Sequence, residues 1–227
     1  MFKALKIMKV TILGVNIDDV SIDQAISIVA GWLQEGGKHY IVTPNPEFIV
    51  SAYGDPEFKK ILNKADLAIP DGAGLKFSGK IKNTTTGVDL MEALCQKASK
   101  SGWKIRLIGG KDGVAGRTSE KLKEKYPGLE VVYAENGLEV NSDLLFVAFG
   151  MGKQEKFIYE NLDKLPTKVA MGVGGAFDYI SGNVKRAPIW MRQLGLEWLF
   201  RLIIQPWRIK RQVNLFKFIF LIIFNPG

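Results

Sequence analysis

The sequence predicts an α/β protein, a mostly parallel sheet with helices on both faces, followed by a helical C-terminal appendage of different character. Three observations predict it. Apolar, β-branched runs alternate with stretches of helical periodicity from the N-terminus onward, which is the order of βα units. The strand-like runs are short and each leads into a helix, as parallel pairing requires. After about Gly182 the alternation stops and a segment rich in Trp, Phe, Ile and Arg takes over.

In chain order, KVTILGV reads as a strand, and SIDQAISIVAGWL as a helix with Ser21 as its N-cap. HYIVT is a strand, DPEFKKILNKA a helix, DLAIP a strand and GVDLMEALCQKAS a helix. KIRLIGG, LEVVYA, DLLFVAFG and KVAMGVGG complete the strands, with helices at DGVAGRTSEKLKEKY and KQEKFIYENL. The stretches TPNPE, PDG, GGKDG and GMGKQE all fall where strands end. Pro fixes φ, Gly permits positive φ, and Asn and Asp bond nearby backbone, so each makes a turn. Open parallel sheets bind ligands beyond the carboxyl ends of their strands. The turns after HYIVT and DLAIP are therefore expected to face one cleft.

With 47% apolar and 24% charged residues, the composition excludes a disordered chain. Cys95 is the single cysteine and lies at helical spacing in MEALCQKA. It excludes an intrachain disulfide, reads as a buried thiol and fits a reducing cytoplasm. The opening MFKALKIMKVTILGV does not read as an export signal, because lysines break its apolar run and it continues into a strand.

From Lys185 onward, eight Lys and Arg face one acid, Glu197, which places +7 of the net charge of +8 in the tail. The expected organisation is an α/β core over 1–184 and a basic, apolar helical appendage over 185–227. Val213 to Phe224 is interrupted by Asn214 and Lys217 and falls short of the roughly 20 residues that span a bilayer. It is expected to lie on a membrane surface, with Trp207, Arg208, Lys210 and Arg211 at the headgroups and Phe216, Phe218, Phe220 and Ile222 on the apolar side. A core helix or an oligomer contact is the alternative.

The segments TPNPE, ADLAIPDGAGL, TTGVDLMEAL, RLIGGKDGVA, YPGLEVV, FGMGKQEKFI, GVGGAFDYISGNVKRAP and GLEWLFRLIIQPWRIKR occur in this order. Together they resemble the WecG/TagA/CpsF family of bacterial glycosyltransferases, from about Val10 to Arg211. The resemblance implies a Rossmann-like core and an inverting transfer of N-acetylmannosamine, or a related sugar, from a UDP-sugar. The implied acceptor is the 4-hydroxyl of undecaprenyl-diphosphate-linked N-acetylglucosamine, at the cytoplasmic membrane face, in teichoic-acid linkage-unit or surface-polysaccharide synthesis. The sequence departs from the family in carrying Met151-Gly152 where relatives usually have Pro, and Asn83-Thr84-Thr85 where they commonly have Arg.

Such a transfer needs a base for the acceptor hydroxyl and charge stabilisation for the departing diphosphate. Asp71, after the strand DLAIP and between Pro70 and Gly72, is the candidate base, and the family's proposed base aligns with it. Its other reading is a cap for the helix starting near Gly72. Thr43 and Asn45 carry a hydroxyl and an amide suited to a polyhydroxylated ligand, or else make the turn. Glu47 is a candidate cap of the helix that follows. Gln154 is a candidate for uracil or ribose. Gly109 and Gly110 permit close approach to a phosphate at a helix N-terminus, and Asp178 either touches the nucleotide or fastens its loop.

No cofactor and no metal site are expected: there is no cysteine cluster, His39 is the only histidine, and Asp18-Asp19 lacks the setting of a sugar-nucleotide site. The diphosphate is then left to cations, and Arg201, Arg208 and Arg211 fall within about 80° on an ideal helical wheel, unless Pro206 breaks the helix. The expected partners are a UDP-sugar, a lipid-linked diphosphate acceptor and an anionic membrane surface, with a homo-oligomer off the membrane and no nucleic acid. A different Rossmann-like transferase, such as a methyltransferase, is the competing enzyme. A peripheral membrane or nucleic-acid-binding module is the competing non-enzyme, and it gives Asp71, Thr43 and Asn45 no role.

Overall fold

The structure, a computed structural model, describes residues 7–133 and 140–225, apart from the side chains of Tyr133, Lys210 and Arg211. Its first element corrects the sequence reading. KVTILGV does not form one strand of the main sheet. It turns back on itself as the antiparallel hairpin β1 (Met8–Ile12) and β2 (Val15–Asp19). Leu13 and Gly14 take φ of 49° and 83°, the paired positive values of a two-residue type I′ turn.

Then follow α1 (Ile22–Glu35), β3 (His39–Val42), α2 (Pro46–Gly54), α3 (Pro56–Asn63) and β4 (Leu67–Ala68). A 3₁₀ turn over Ala73–Ser78 leads to α4 (Gly87–Ser101), β5 (Lys104–Gly109), α5 (Val114–Lys125) and β6 (Glu130–Tyr133). The core ends with β7 (Ser142–Ala148), α6 (Lys153–Asn161), β8 (Thr167–Gly172) and α7 (Ala176–Ile180). The tail comprises α8 (Ile189–Gln193), α9 (Glu197–Ile204), a 3₁₀ turn at Pro206–Arg208 and α10 (Ile209–Phe224).

Strands β3 to β8 make a six-stranded parallel sheet in the order β4-β3-β8-β7-β5-β6. Because a strand's side chains alternate between faces, each strand divides its residues between two cores. Ile41, Leu107, Phe146 and Met171 join one core with α1, α4, α5 and α7. Val42, Ile108, Val147 and Ala170 join the other with α2, α3, α6, α10 and the hairpin. The sheet is thus covered on both faces, as predicted. Its connections leave β5 and β7 in opposite directions, one toward β6 and the other toward β8. That topology opens a crevice at the carboxyl ends of those strands.

The helices begin where the sequence supplies caps. Ser21 and Gln24 form a reciprocal capping box on α1. Asn45 and Asp55 cap α2 and α3, each followed by Pro at the first helical position. Glu47, the expected cap of α2, instead lies within its first turn, and the Asn45 side chain accepts from Glu47 N and Phe48 N.

In the tail, α10 is not wholly a surface element. Phe218 is completely buried and Leu221 nearly so, in the core that also holds Phe48 and Ile49 of α2. Ile222 is partly buried against the same core. Phe218 and Ile222 therefore leave the set of expected membrane-facing residues, whereas Phe216 and Phe220 are exposed, at 70% and 58%. Trp207, Val213, Ile223 and Phe224 extend that exposed apolar face. No helix among the described residues is long and apolar enough to cross a membrane.

Candidate active site

The two turns that interrupt the sequence after β3 and β4 are fastened to each other. Beyond the short β4, pairing continues irregularly, with Ile69 N–H donating to Val42 O at 2.9 Å and Asp71 N–H to Pro44 O at 2.8 Å. Thr85 N–H closes the next segment onto Pro70 O at 3.0 Å. The main chain of Asp71 is thereby fixed at the carboxyl end of the sheet. Asp71 does not cap the 3₁₀ turn that follows, whose N-cap is Gly72 with no side-chain bond. Small residues fit this turn closely: a methyl on Gly195 would lie 2.5 Å from Ala73 Cβ, and one on Gly74 would lie 2.6 Å from Pro46 Cγ.

The Asp71 carboxylate instead accepts from the N–H of Gly87, the first residue of α4. Burial, and after it the charge of Glu197, push its pKa up to about 7, with Asp89 adding to the rise and Gly87 N–H and Arg186 opposing it. Such a carboxyl is substantially ionised near neutral pH yet basic enough to take a hydroxyl proton. Thr43 is buried beside the same helix terminus, its Oγ1 3.5 Å from where a Gly87 Cβ would stand. Asn45, one residue past Pro44, spends its Oδ1 on the α2 cap.

Arg186 ties this terminus to the tail. Its Nη1 donates to Asp89 Oδ1 at 2.7 Å and its Nη2 to Asp89 Oδ2 at 2.9 Å, the bidentate fork that suits a carboxylate. Nη2 also reaches Thr86 Oγ1, the cap of α4, at 3.1 Å, and Nε donates to Glu197 Oε1 at 3.0 Å. Burial works against the guanidinium charge, but the bonds to Asp89 and Glu197 outweigh it and hold its pKa above the ordinary value. Asp89 is held below the usual carboxylate range, since the Arg186 and Thr86 bonds outweigh its burial.

The wheel drawn through Arg201, Arg208 and Arg211 does not apply, because α9 ends at Ile204 and Pro206 opens a 3₁₀ turn. Two of these arginines converge nonetheless. Arg201 Nε donates to Gln205 Oε1 at 3.1 Å, and Arg208 Nη1 reaches the same oxygen at 3.4 Å. The Arg201 guanidinium lies 4.4 Å from the Tyr179 ring centroid. A Cβ on Gly175 would sit 3.3 Å from its Nη1, which places it over the loop leaving β8. The side chain of Arg211 lies outside the described residues.

Gln154 supports that loop from the other side. It is 2% exposed, its Oε1 accepts from Gly174 N–H at 3.0 Å, and its Nε2 donates to Glu155 Oε1 at 2.7 Å. Glu155 accepts from Gly152 N–H, and burial pushes its pKa up to about 7 against those bonds. Gly109 and Gly110 stand at the β5/β7 crevice. Gly110 N–H donates to Ala148 O at 2.9 Å, and a Cβ at either glycine would collide, with Phe149 at 2.7 Å or Val114 at 2.2 Å. Asp178 lies on α7, where its carbonyl accepts from Val184 N–H at 3.0 Å and from the Ser181 hydroxyl, so its backbone fastens the loop leading to the tail.

The acidic pair Asp18-Asp19 is engaged structurally. Asp18 accepts from Ala68 N–H, and Asp19 from the amides of Lys82 and Asn83. The segment at Lys82 and Asn83 is therefore pinned to the hairpin. No group of three or more His, Cys, Asp or Glu suited to a metal ion occurs among the described residues. Sequence reasoning missed Thr86, Asp89, Arg186 and Glu197 as one cluster, since Arg186 is 97 residues from Asp89 and no spacing connects them.

A doubly wound sheet whose carboxyl edge holds a near-neutral carboxyl, with arginines beside the loop of β8, has the parts of a group-transfer enzyme. The chain belongs to the Glycosyl transferase WecG/TagA/CpsF family, which it matches over residues 10–226. It is 34% identical over 206 residues to the N-acetylglucosaminyldiphosphoundecaprenol N-acetyl-beta-D-mannosaminyltransferase of Bacillus subtilis strain 168, covering 80% of each chain. The Bacillus spizizenii W23 protein of the same name is 34% identical over 205 residues, covering 83% of this chain and 80% of its own.

Proposed function

We propose that this glycosyltransferase moves N-acetylmannosamine, or a related sugar, from a UDP-sugar to the 4-hydroxyl of undecaprenyl-diphosphate-linked N-acetylglucosamine, inverting the anomeric centre. The relatives' names support the sugar and the lipid acceptor. The observation that carries the mechanism is Asp71, fixed at the sheet edge with its pKa raised to about 7. The acceptor oxygen attacks the anomeric carbon while its proton passes to the Asp71 carboxylate. The bond from that carbon to the diphosphate breaks, and UDP leaves with the electron pair. Arg201 and Arg208, and Arg211 after them, stabilise the charge that develops there, so that no metal ion is required. Thr43 and Asn45 orient the sugars. Gln154 positions the loop of β8 on which Arg201 rests, and Gly109, Gly110 and Asp178 line the nucleotide side.

Residues 185–227 act in this reading as an appendage that docks on the inner face of the cell membrane. Support comes from the exposed Trp207, Phe216 and Phe220 beside a basic segment. Off the membrane the same surface is expected to be covered by a second copy, since apolar patches of this kind seldom stay bare in water. A screen of UDP-sugars with a short-chain diphosphate-linked acceptor analogue, read by NMR of the product linkage, tests the reaction. The expected product is a β-linked N-acetylmannosamine at the 4-position, formed equally well in EDTA. Activity lost in EDTA and restored by Mg²⁺ overturns the cation assignment.

A further inference from the structure

We propose that Arg186 is a positioning residue of the transfer reaction, clamping the α4 terminus that supports Asp71 to the first turn of α9, the helix that carries Arg201. The inference rests on the reading of Asp71 as the base. Arg186 lies in the connection between α7 and α8 and belongs to neither end of the clamp. Its guanidinium makes four bonds that divide between the two ends. Three go to α4, through both oxygens of Asp89 and the Thr86 hydroxyl, and one goes to Glu197. Thr86 caps the helix whose first amide, that of Gly87, bonds Asp71. Glu197 opens α9, and Arg201 follows it one turn later on the same helix. The base and a diphosphate-binding arginine are thus registered through a single planar fork, a geometry that Lys cannot reproduce.

The same group balances the field at Asp71. The charged and polar groups facing that carboxyl are Asp89 and the Gly87 amide from α4, Glu197 from α9, and Arg186 itself. Arg192 of α8 stands 3.9 Å from Asp89 behind them. Two of the three charges are anions that disfavour ionisation of Asp71, and Arg186 is paired with both. Removing it leaves those anions uncompensated beside the base. Removing Glu197 takes one of them away.

A buried ion pair with a purely structural role loses stability when either partner is cut. A clamp that also sets the field at the base responds with opposite signs. The experiment is the pH profile of kcat/KM for Arg186→Gln, Glu197→Gln and Arg186→Lys, with Asp71→Asn alongside. The acidic limb is expected to move to higher pH by about half a unit or more in Arg186→Gln and to lower pH in Glu197→Gln. Arg186→Lys keeps the charge, so its limb stays near that of the wild type while KM for the sugar nucleotide rises through the lost fork. Should Arg186→Gln fail to fold, the downward shift in Glu197→Gln alone carries the test. An inactive Asp71→Asn together with an unshifted limb in Glu197→Gln, or limbs moving the same way in both glutamine variants, overturns the role of Arg186 and leaves the base assignment standing. An active Asp71→Asn overturns the base, and this proposal with it.

Discussion

The carboxyl edge around β3 and β4 and the tail around α9 both supply polar groups to the proposed site, but they hold them by different means. The main chain of Asp71 is set by backbone bonds, Ile69 to Val42 and its own N–H to Pro44 O, so its position depends little on which side chains surround it, and its carboxylate is met by the Gly87 amide. Arg201 and Arg208 are set by side chains, through Gln205, Tyr179 and, one step removed, the Arg186–Glu197 pair. A backbone ladder fixes position and leaves side chains free to tune charge. A side-chain network fixes position and charge together, so a single substitution there changes both.

The largest expected effect tests the backbone-held half. Asp71→Asn preserves shape and the acceptor for Gly87 N–H but removes basicity, and turnover should fall by about 10²-fold or more. In the wild type, kcat/KM should rise with pH through about 7, where Asp71 ionises. Stability should respond in the opposite sense. The folded pKa lies above that of the unfolded chain, so the unfolded state releases its proton first, and Asp71 lowers stability progressively between about pH 4 and pH 7. The Asn variant should therefore melt above the wild type at pH 8, with the difference closing toward pH 4. A variant that melts no higher at pH 8 means that the carboxylate is not destabilised where it sits.

The next effect separates the two faces of α10. Phe218→Ala, at a fully buried position, should cost about 3 kcal/mol or more in urea unfolding. Phe216→Ala, 70% exposed on a single copy, should stay within about 0.5 kcal/mol at protein concentrations too low for a second copy to cover it, yet weaken binding to anionic liposomes. A stability loss that grows with protein concentration is expected where the second copy covers that face.

The smallest effect tests whether Asn45 has a duty beyond the α2 cap. Asn45→Ala should cost about 1 kcal/mol through the lost cap. Asn45→Asp keeps the cap, since Asp serves there as well, but removes the amide donors. It should leave the melting temperature nearly unchanged while raising KM severalfold for the acceptor or donor. Unchanged kinetics in Asn45→Asp reduce the residue to a cap.

Much of this arrangement was legible in local patterns. The alternation of strand and helix, the cap at Ser21 and the placing of the turns at strand ends follow from short-range periodicity, and the parallel sheet bears them out. The β1–β2 hairpin escaped because its turn puts Leu13, a residue without special preference for positive φ, in that region. A helical wheel assigns Phe216 and Phe218 to different faces of α10, but which face is core depends on α2, far away in sequence. Pro206 warned that the wheel through the arginines would fail. Their return to one another at Gln205 depends on the path of the chain after the break, which no periodicity encodes. The cluster around Arg186 lies within segments that carry the family resemblance, NVKRAP and GLEWLF, yet its partners are named only by the folded chain.

The packing of α10 on α2 also dictates an order of events during synthesis. Residue 209 leaves the ribosome 155 residues after residue 54, which at about 5–20 residues per second is a delay of about eight to thirty seconds. Throughout that interval the place of Phe218 beside Phe48 and Ile49 stands empty. The nascent chain therefore carries an uncovered apolar seam along α2, which closes only when the most apolar part of the protein has itself emerged. Chaperone occupancy on stalled chains should end with the release of α10, and not with completion of the sheet.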